Sequence, residues 1–232
     1  IVHCPELFAN DHILDLASKD EKYLSVSLDN LQKTIEEVLK IAKFFPKTEK
    51  PLLITNVGGF SDNDFMEDKR KEDAYESVEH ILKRFSSSGV EIIPQTMPPF
   101  PWHFGGQRFH NLFVKNDEIM KFCGKNKTRI CFDISHSKLA CNFYGIDFMN
   151  FIDEMSHITA HLHIVDAKSI TGEGLQIGDG EIFFPKVFSK LNKDYQNASF
   201  VPEIWQGHKN NGEGFWNALD KIELIHENIE MK

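Results

Sequence analysis

Six short apolar runs in this chain each end on a side chain that can bind a metal or move a proton. Ile1-Val2 ends at His3, Leu52–Thr55 at Asn56, and Ile92-Ile93-Pro94 at Gln95. Ile130-Cys131-Phe132 ends at Asp133, with His136 three residues on. Leu162 is flanked by His161 and His163, and Asp166 closes that run; Phe200-Val201-Pro202 ends at Glu203. Asp, His and Glu together suit a divalent cation such as Mn²⁺, Zn²⁺, Mg²⁺ or Co²⁺. Two carboxylates and a neutral imidazole balance a dication, so Asp133, His163 and Glu203 are the candidate metal ligands. One polar residue at a strand end is usually a loop cap. Six in succession point to a shared site. His161 falls on the same strand face as His163, one pleat deeper, and reads as a cap.

Residues this far apart meet only if the fold brings their strand ends to one face. The runs at Ile1–Cys4, Leu52–Val57, Val90–Gln95, Arg129–Asp133, Thr159–Asp166 and Ser199–Ile204 are apolar on both faces, as strands buried on both sides are. Amphipathic helices are expected between them. Leu31, Ile35, Val38, Leu39 and Ala42 share one face, and Ala74, Val78, Ile81, Leu82 and Phe85 another. Shorter helices are expected at Asp147–Met155 and Phe183–Leu191, and a last one from about Glu213 to Ile225. Strands alternating with helices make parallel βαβ units. The exits from Asn56 to Gln95, Asp133, His163 and Glu203 are spaced 39, 38, 30 and 40 residues apart, which suits one βα unit each. The predicted fold is an α/β, (β/α)8 TIM-type barrel forming a single domain over residues 1–232. A weak seventh strand is expected near Leu175–Ile177. The barrel then lacks its first strand–helix unit, and the chain reads as a fragment of something longer. Open strand edges would favour a homo-oligomer or a further domain.

The net charge of −9 disfavours nucleic acid, which needs clustered cations, and favours a small polar substrate. No apolar stretch is long enough for a membrane span. Cys4, Cys123, Cys131 and Cys141 show neither CxxC nor secreted-framework spacing, and read as reduced thiols of a cytoplasmic protein, with Cys131 buried.

The ordered motifs carry a family resemblance over nearly the whole chain. Val2-His3-Cys4-Pro5 resembles the HxP strand of the xylose-isomerase-like barrels, which include sugar-phosphate isomerases, sugar epimerases and endonuclease IV. Asp133-Ile134-Ser135-His136 resembles their D-x-x-H strand, and His161–Asp166 their H-x-H-x-x-D strand. Gly178-Asp179-Gly180 resembles the turn that follows, and Pro202-Glu203 the final strand. The resemblance to the epimerases implies one divalent metal on Gln95, Asp133, His163 and Glu203. Gln95 is a departure, because Glu is usual there. A Gln oxygen can ligate but cannot transfer a proton, so the two-carboxylate acid/base pair of those epimerases is incomplete. The resemblance to endonuclease IV covers His3, Asp133, His136, His163 and Glu203. Asn56 and Gln95 replace its His and Glu, and Gly172–Gly180 holds no His, so its Asp-x-His pair is missing.

The function implied is a metal-dependent sugar or sugar-phosphate isomerase or epimerase, with an enediolate stabilised by the metal, in carbohydrate metabolism. Glu203 is its expected base and His136 orients a substrate oxygen. With Gln95 in place, a one-base proton shuttle or a lyase or dehydratase step is also open. The alternatives are a degenerate, non-catalytic barrel module binding a sugar-like ligand within a larger protein, and an AP-endonuclease-like metal hydrolase. The loop Pro98–Arg108 combines Phe100, Trp102 and Phe104 with paired glycines and Arg108, and reads as a lid or as rim packing. His3, Asn56, Trp102, Arg108, Lys168 and Trp205 are the expected substrate contacts, with His208 a further candidate at the pocket wall.

Overall fold

A computed structural model describes residues 1–103 and 106–230. Six parallel strands run in chain order through it: β1 (Val2–His3), β2 (Leu52–Thr55), β3 (Glu91–Pro94), β4 (Ile130–Asp133), β5 (Thr159–Ile164) and β6 (Ser199–Pro202). β1 pairs with β2 and β2 with β3. A Gln95–Cys131 bridge joins β3 to β4, β4 pairs with β5, and β5 with β6. This order, each strand beside the next and all parallel, is the arc of a (β/α)8 barrel. Among the described residues β1 and β6 each have one sheet neighbour.

The expected seventh strand is corrected by the structure. Gly172–Leu175 pairs antiparallel with Asp166–Lys168, so the chain leaving β5 folds back as a hairpin over the rim. Two glycines in four residues leave this segment too little apolar surface to enter the barrel wall, and Gly174 sits at φ +73°. Among the described residues the arc therefore holds six strands, two short of eight rather than one.

The connecting helices are α1 (Glu21–Ala42), α2 (Asp68–Arg84), α3 (Asn116–Asn126), α4 (Ile134–Tyr144), α5 (Phe148–Met155), α6 (Phe184–Asp194) and α7 (Lys209–Glu230). α1 starts where the Asp20 carboxylate accepts the Lys22 and Tyr23 N–H groups, and it buries Leu31, Ile35 and Val38 as its periodicity requires. α3 and α4 are not anticipated by the sequence reading. The outward strand side chains pack with these helices into one large core. Ile54, Ile93, Cys131 and Ala160 form a separate plug on the inner face. All four cysteines are free and buried. No helix among the described residues is long and apolar enough to cross a membrane.

The hairpin after β5 is tied down by one side chain. Asp166 is fully buried and its carboxylate accepts N–H groups from Ala167, Gly178, Gly180 and Ile182 at 2.8–3.1 Å. A Cβ on Gly180 would lie 2.3 Å from both Asp166 Oδ1 and the Ala167 carbonyl oxygen. The Asp that closes the H-x-H-x-x-D run and the Gly-x-Gly turn that follows it are thus two halves of one device.

Candidate metal centre

The alternation of β4 and β5 turns Cys131 and Asp133, and His161 and His163, toward the barrel interior, in register with one another. β6 lies alongside, so that Glu203, the residue after its last, stands at the same level. As a result His163 Nδ1 lies 2.7 Å from Glu203 Oε2 and 3.3 Å from Asp133 Oδ2. Ligand atoms of Asp133, His163 and Glu203 all fall within 4.8 Å of one another. Asp133 and His163 are buried, while Glu203 is nearly half exposed and faces the opening.

Asp133 does two jobs with its two oxygens. Oδ1 accepts the His136 N–H at 2.8 Å and so caps α4, which begins with no loop after β4. Oδ2 is left to face His163 and Gln95. The D-x-x-H spacing is therefore that of a helix cap and the third residue of its first turn. Thr96 locks the junction: its Oγ1 accepts the Asp133 N–H at 2.9 Å, and its carbonyl oxygen lies 2.9 Å from His136 Nδ1. Sequence reasoning missed Thr96, since nothing in its type marks it off from any residue following a strand exit.

Gln95 completes the ring of donors. Its Nε2 lies 3.3 Å from Asp133 Oδ2 and 3.2 Å from His163 Nδ1, while its Oε1 lies 2.8 Å from His3 Nε2. His3 Nδ1 sits 2.7 Å from its neighbour's carbonyl oxygen, that of Cys4, and so carries a proton. In the tautomer with its proton on Nδ1, the ring has a lone pair at Nε2, which an amide N–H satisfies. A half-turn of the Gln95 amide gives His3 that N–H and aims the amide oxygen at Asp133 and His163. Two carboxylates, one imidazole and one amide oxygen then converge, a hard-to-borderline set that fits a divalent cation. The His3 ring also stacks on His163, with centroids 5.7 Å apart.

The electrostatics suit cation capture. Burial raises the cost of ionising Asp133, but His136, His163 and the capped N–H outweigh it and hold the carboxyl down to about 2. Burial likewise disfavours charge on His163. Cys131, Asp133 and Glu203 around it win, and its imidazole is pushed well above the usual range. His161, one pleat deeper, has no such partners within reach; burial pulls it down to about 4, and its Nδ1 pairs with Ser199 Oγ at 2.9 Å.

A proton and a cation therefore compete for His163 Nδ1. Uptake of Zn²⁺ or Mn²⁺ near pH 6.5 is expected to release about one proton per ion, with apparent affinity rising with pH. Titration calorimetry in buffers of different ionisation enthalpy measures this directly; heats independent of buffer would contradict it. The sign is the same for the metal-free fold. A histidine raised in the folded state stabilises it below the unfolded value of about 6.5, and that stabilisation fades as pH rises through the folded value.

The other expected substrate contacts spread around the rim. Asn56 is buried beside Gln95 on the neighbouring strand, with its Oδ1 accepting the Gly58 N–H. Trp102 and Trp205 are exposed, on the loops that follow Gln95 and Glu203. Lys168 is exposed in the hairpin after β5. Arg108 is held away from the ligand ring, stacked 4.7 Å from the Phe60 ring centroid and 3.3 Å from Asp62. Phe100 packs at 4.8–5.6 Å against Phe65, Phe109 and Phe143, so this part of the expected lid is rim packing. Phe104 and Gly105, at the centre of that loop, lie outside the described residues. His208 is exposed.

Sequence reasoning also missed Glu173, on the hairpin strand Gly172–Leu175. Its Oε2 lies 3.7 Å from His136 Nε2, and its Oε1 accepts the Trp102 N–H at 3.3 Å. Burial pushes its carboxyl up, and His136 partly offsets this. A Glu between two glycines in a turn-rich stretch gave no signal.

The chain belongs to the xylose isomerase-like TIM barrel family, whose model matches residues 1–225. Solved structures agree on the fold. A D-tagatose 3-epimerase-like protein superposes with a TM-score of 0.70 at 18% identity, over 100% of this chain and 78% of its own. The D-psicose 3-epimerase of Clostridium cellulolyticum, solved with D-tagatose, gives 0.65 at 15% identity, over 93% and 75%. Endonuclease IV from Thermus thermophilus gives 0.61 at 17% identity, over 98% and 76%. A comparison with curated proteins finds no match.

Proposed function

We propose that this protein is a divalent-metal-dependent isomerase or epimerase acting on a ketose or a related sugar. The observation that carries the reading is the convergence of Asp133, His163 and Glu203 at the exits of three neighbouring parallel strands. Gln95 supplies a fourth, uncharged donor. When bound, a divalent cation supplies Lewis-acid stabilisation of charge developing on adjacent substrate oxygens. Sugar epimerases among the similar structures support the substrate class.

In this reading Glu203 takes a proton from the carbon next to the carbonyl. It is the ligand-ring carboxylate that reaches the opening, while Asp133 spends one oxygen on α4 and is buried beneath. His136, fixed at Nδ1 by the Thr96 carbonyl, presents Nε2 to a substrate oxygen. Gln95 cannot move a proton, so return to the same or the opposite face runs through Glu203 or through solvent. That favours one-base chemistry: shuttling a proton between adjacent carbons, or eliminating a hydroxyl next to the abstracted proton.

The rival reading is a binding module without turnover, favoured by the amides of Asn56 and Gln95 where ionisable groups are usual. The test comes in two stages. The protein is incubated with Mn²⁺ or Zn²⁺, washed extensively, and its metal content measured. About one ion per chain is expected in the wild type and less than about a tenth of that in Asp133→Ala. Absence of bound ion in the wild type removes the enzyme reading. A loaded protein is then incubated with D-tagatose and D-psicose in deuterated water. Deuterium at the carbon beside the carbonyl supports the reading; a loaded protein giving no exchange on these or other ketoses leaves the binding module.

A further inference from the structure

Three rim segments meet at the hairpin strand Gly172–Leu175. On one side the Trp102 N–H donates to Glu173 Oε1 at 3.3 Å. On the other the Trp205 N–H donates to the Gly174 carbonyl oxygen at 2.8 Å. Gly174 is at φ +73°, and a Cβ there would lie 3.0 Å from Trp205 Cβ, so the two segments touch at backbone distance. The hairpin, itself anchored by Asp166, thus clasps the loop after Gln95 and the loop after Glu203. Each loop carries an exposed indole.

Glu173 reaches inward from this clasp. Its Oε2 is buried, with no hydrogen-bond donor in place among the described residues, and stands 3.7 Å from His136 Nε2. A buried carboxylate oxygen is costly unless a donor or a positive charge faces it. The adjacent group is His136, whose far nitrogen is already committed to the Thr96 carbonyl. One side chain therefore ties the loop above the site to the imidazole beside the metal ligands.

We propose that Glu173 is a positioning residue of the site, one oxygen holding the Trp102 loop over the pocket and the other setting the orientation of the His136 ring. It acts through these two partners. The inference rests on the reading of the strand exits as a ligand site, and deepens it.

Two measurements on the full chain test it without turnover. Glu173→Ala removes both contacts, and hydrogen exchange at the Trp102 amide is expected to accelerate about tenfold or more while α1 and α2 keep their protection. Glu173→Gln keeps an acceptor for the Trp102 N–H, so that amide stays within about threefold of wild type. In both variants the His136 ring resonances shift, while those of His12, hydrogen-bonded to Ser27 elsewhere, do not. Unchanged Trp102 exchange in a folded Glu173→Ala overturns the proposal. Should that variant fail to fold, unchanged His136 resonances in Glu173→Gln overturn it equally. Where a ketose is turned over, Glu173→Ala is expected to raise KM about tenfold with kcat within about threefold. Loss in kcat alone, with KM unmoved, counts against it. If no ketose reacts, exchange and resonance data still decide on Glu173, so its failure and that of the enzyme reading are separable.

Discussion

Replacing Glu203 by Gln is expected to lower turnover by about 10²–10⁴-fold while the chain still takes up its metal ion. The amide keeps an oxygen for the cation and the volume of the side chain, but has no basic oxygen to receive a carbon-bound proton. Glu203 is also the ligand-ring carboxylate closest to water, nearly half exposed, whereas Asp133 is fully buried. Steady-state kinetics and metal content on the same preparation give the result. Full activity in Glu203→Gln would move the base elsewhere, and loss of both metal and activity would leave Glu203 as a ligand alone.

The second large effect is on stability. Asp166→Ala is expected to cost about 3 kcal/mol, because four N–H groups, those of Ala167 and Ile182 buried, lose a charged acceptor together. For a chain of this size that corresponds to a fall in melting temperature of roughly 6–12 °C. Asp166→Asn retains one oxygen acceptor and places an N–H₂ against two N–H groups, so it falls between. Thermal melts of the three proteins provide the comparison; a melting point of Asp166→Ala within about 1 °C of wild type would show that the carboxylate is dispensable. Gly180 belongs to the same device, and the 2.3 Å approach of a Cβ to backbone and carboxylate leaves no room for Ala there.

The convergence of Asp133, His163 and Glu203 was legible because a parallel barrel converts a one-dimensional pattern into a place. Apolar runs that end on Asp133, His163 and Glu203 need only share a direction to bring those residues together. Period-two alternation puts His161 on the same strand face as His163, one pleat deeper, and both turn inward in the structure. The losses have physical causes. α4 follows Asp133 with no Gly or Pro to punctuate the change, and it buries Ser135 and Ser137 along with Leu139 and Cys141, so no apolar stripe marks it. Thr96 and Glu173 act through contacts some 37 residues away, Thr96–Asp133 and Glu173–His136, and no local pattern encodes those. The Leu175–Ile177 strand was misread because apolar content at its end concealed Gly172 and Gly174, which bend the chain back into an antiparallel hairpin. Arg108, an expected substrate contact, stacks on Phe60 and pairs with Asp62, contacts no local pattern encodes.

The absence of any loop between β4 and α4 bears on how such a site can change over generations. Lengthening the chain by one residue there would rotate His136 by about 100° around the helix and uncap it at once. The floor that Asp133 and His136 form is thus closed to insertion. The loops bearing Trp102 and Trp205 meet the hairpin through the Glu173 side chain and the Gly174 carbonyl, and neither contact passes through Asp133, so these loops can change in length or composition without moving it. Divergence toward new substrates has its freedom in the walls, over a floor that inheritance keeps in place.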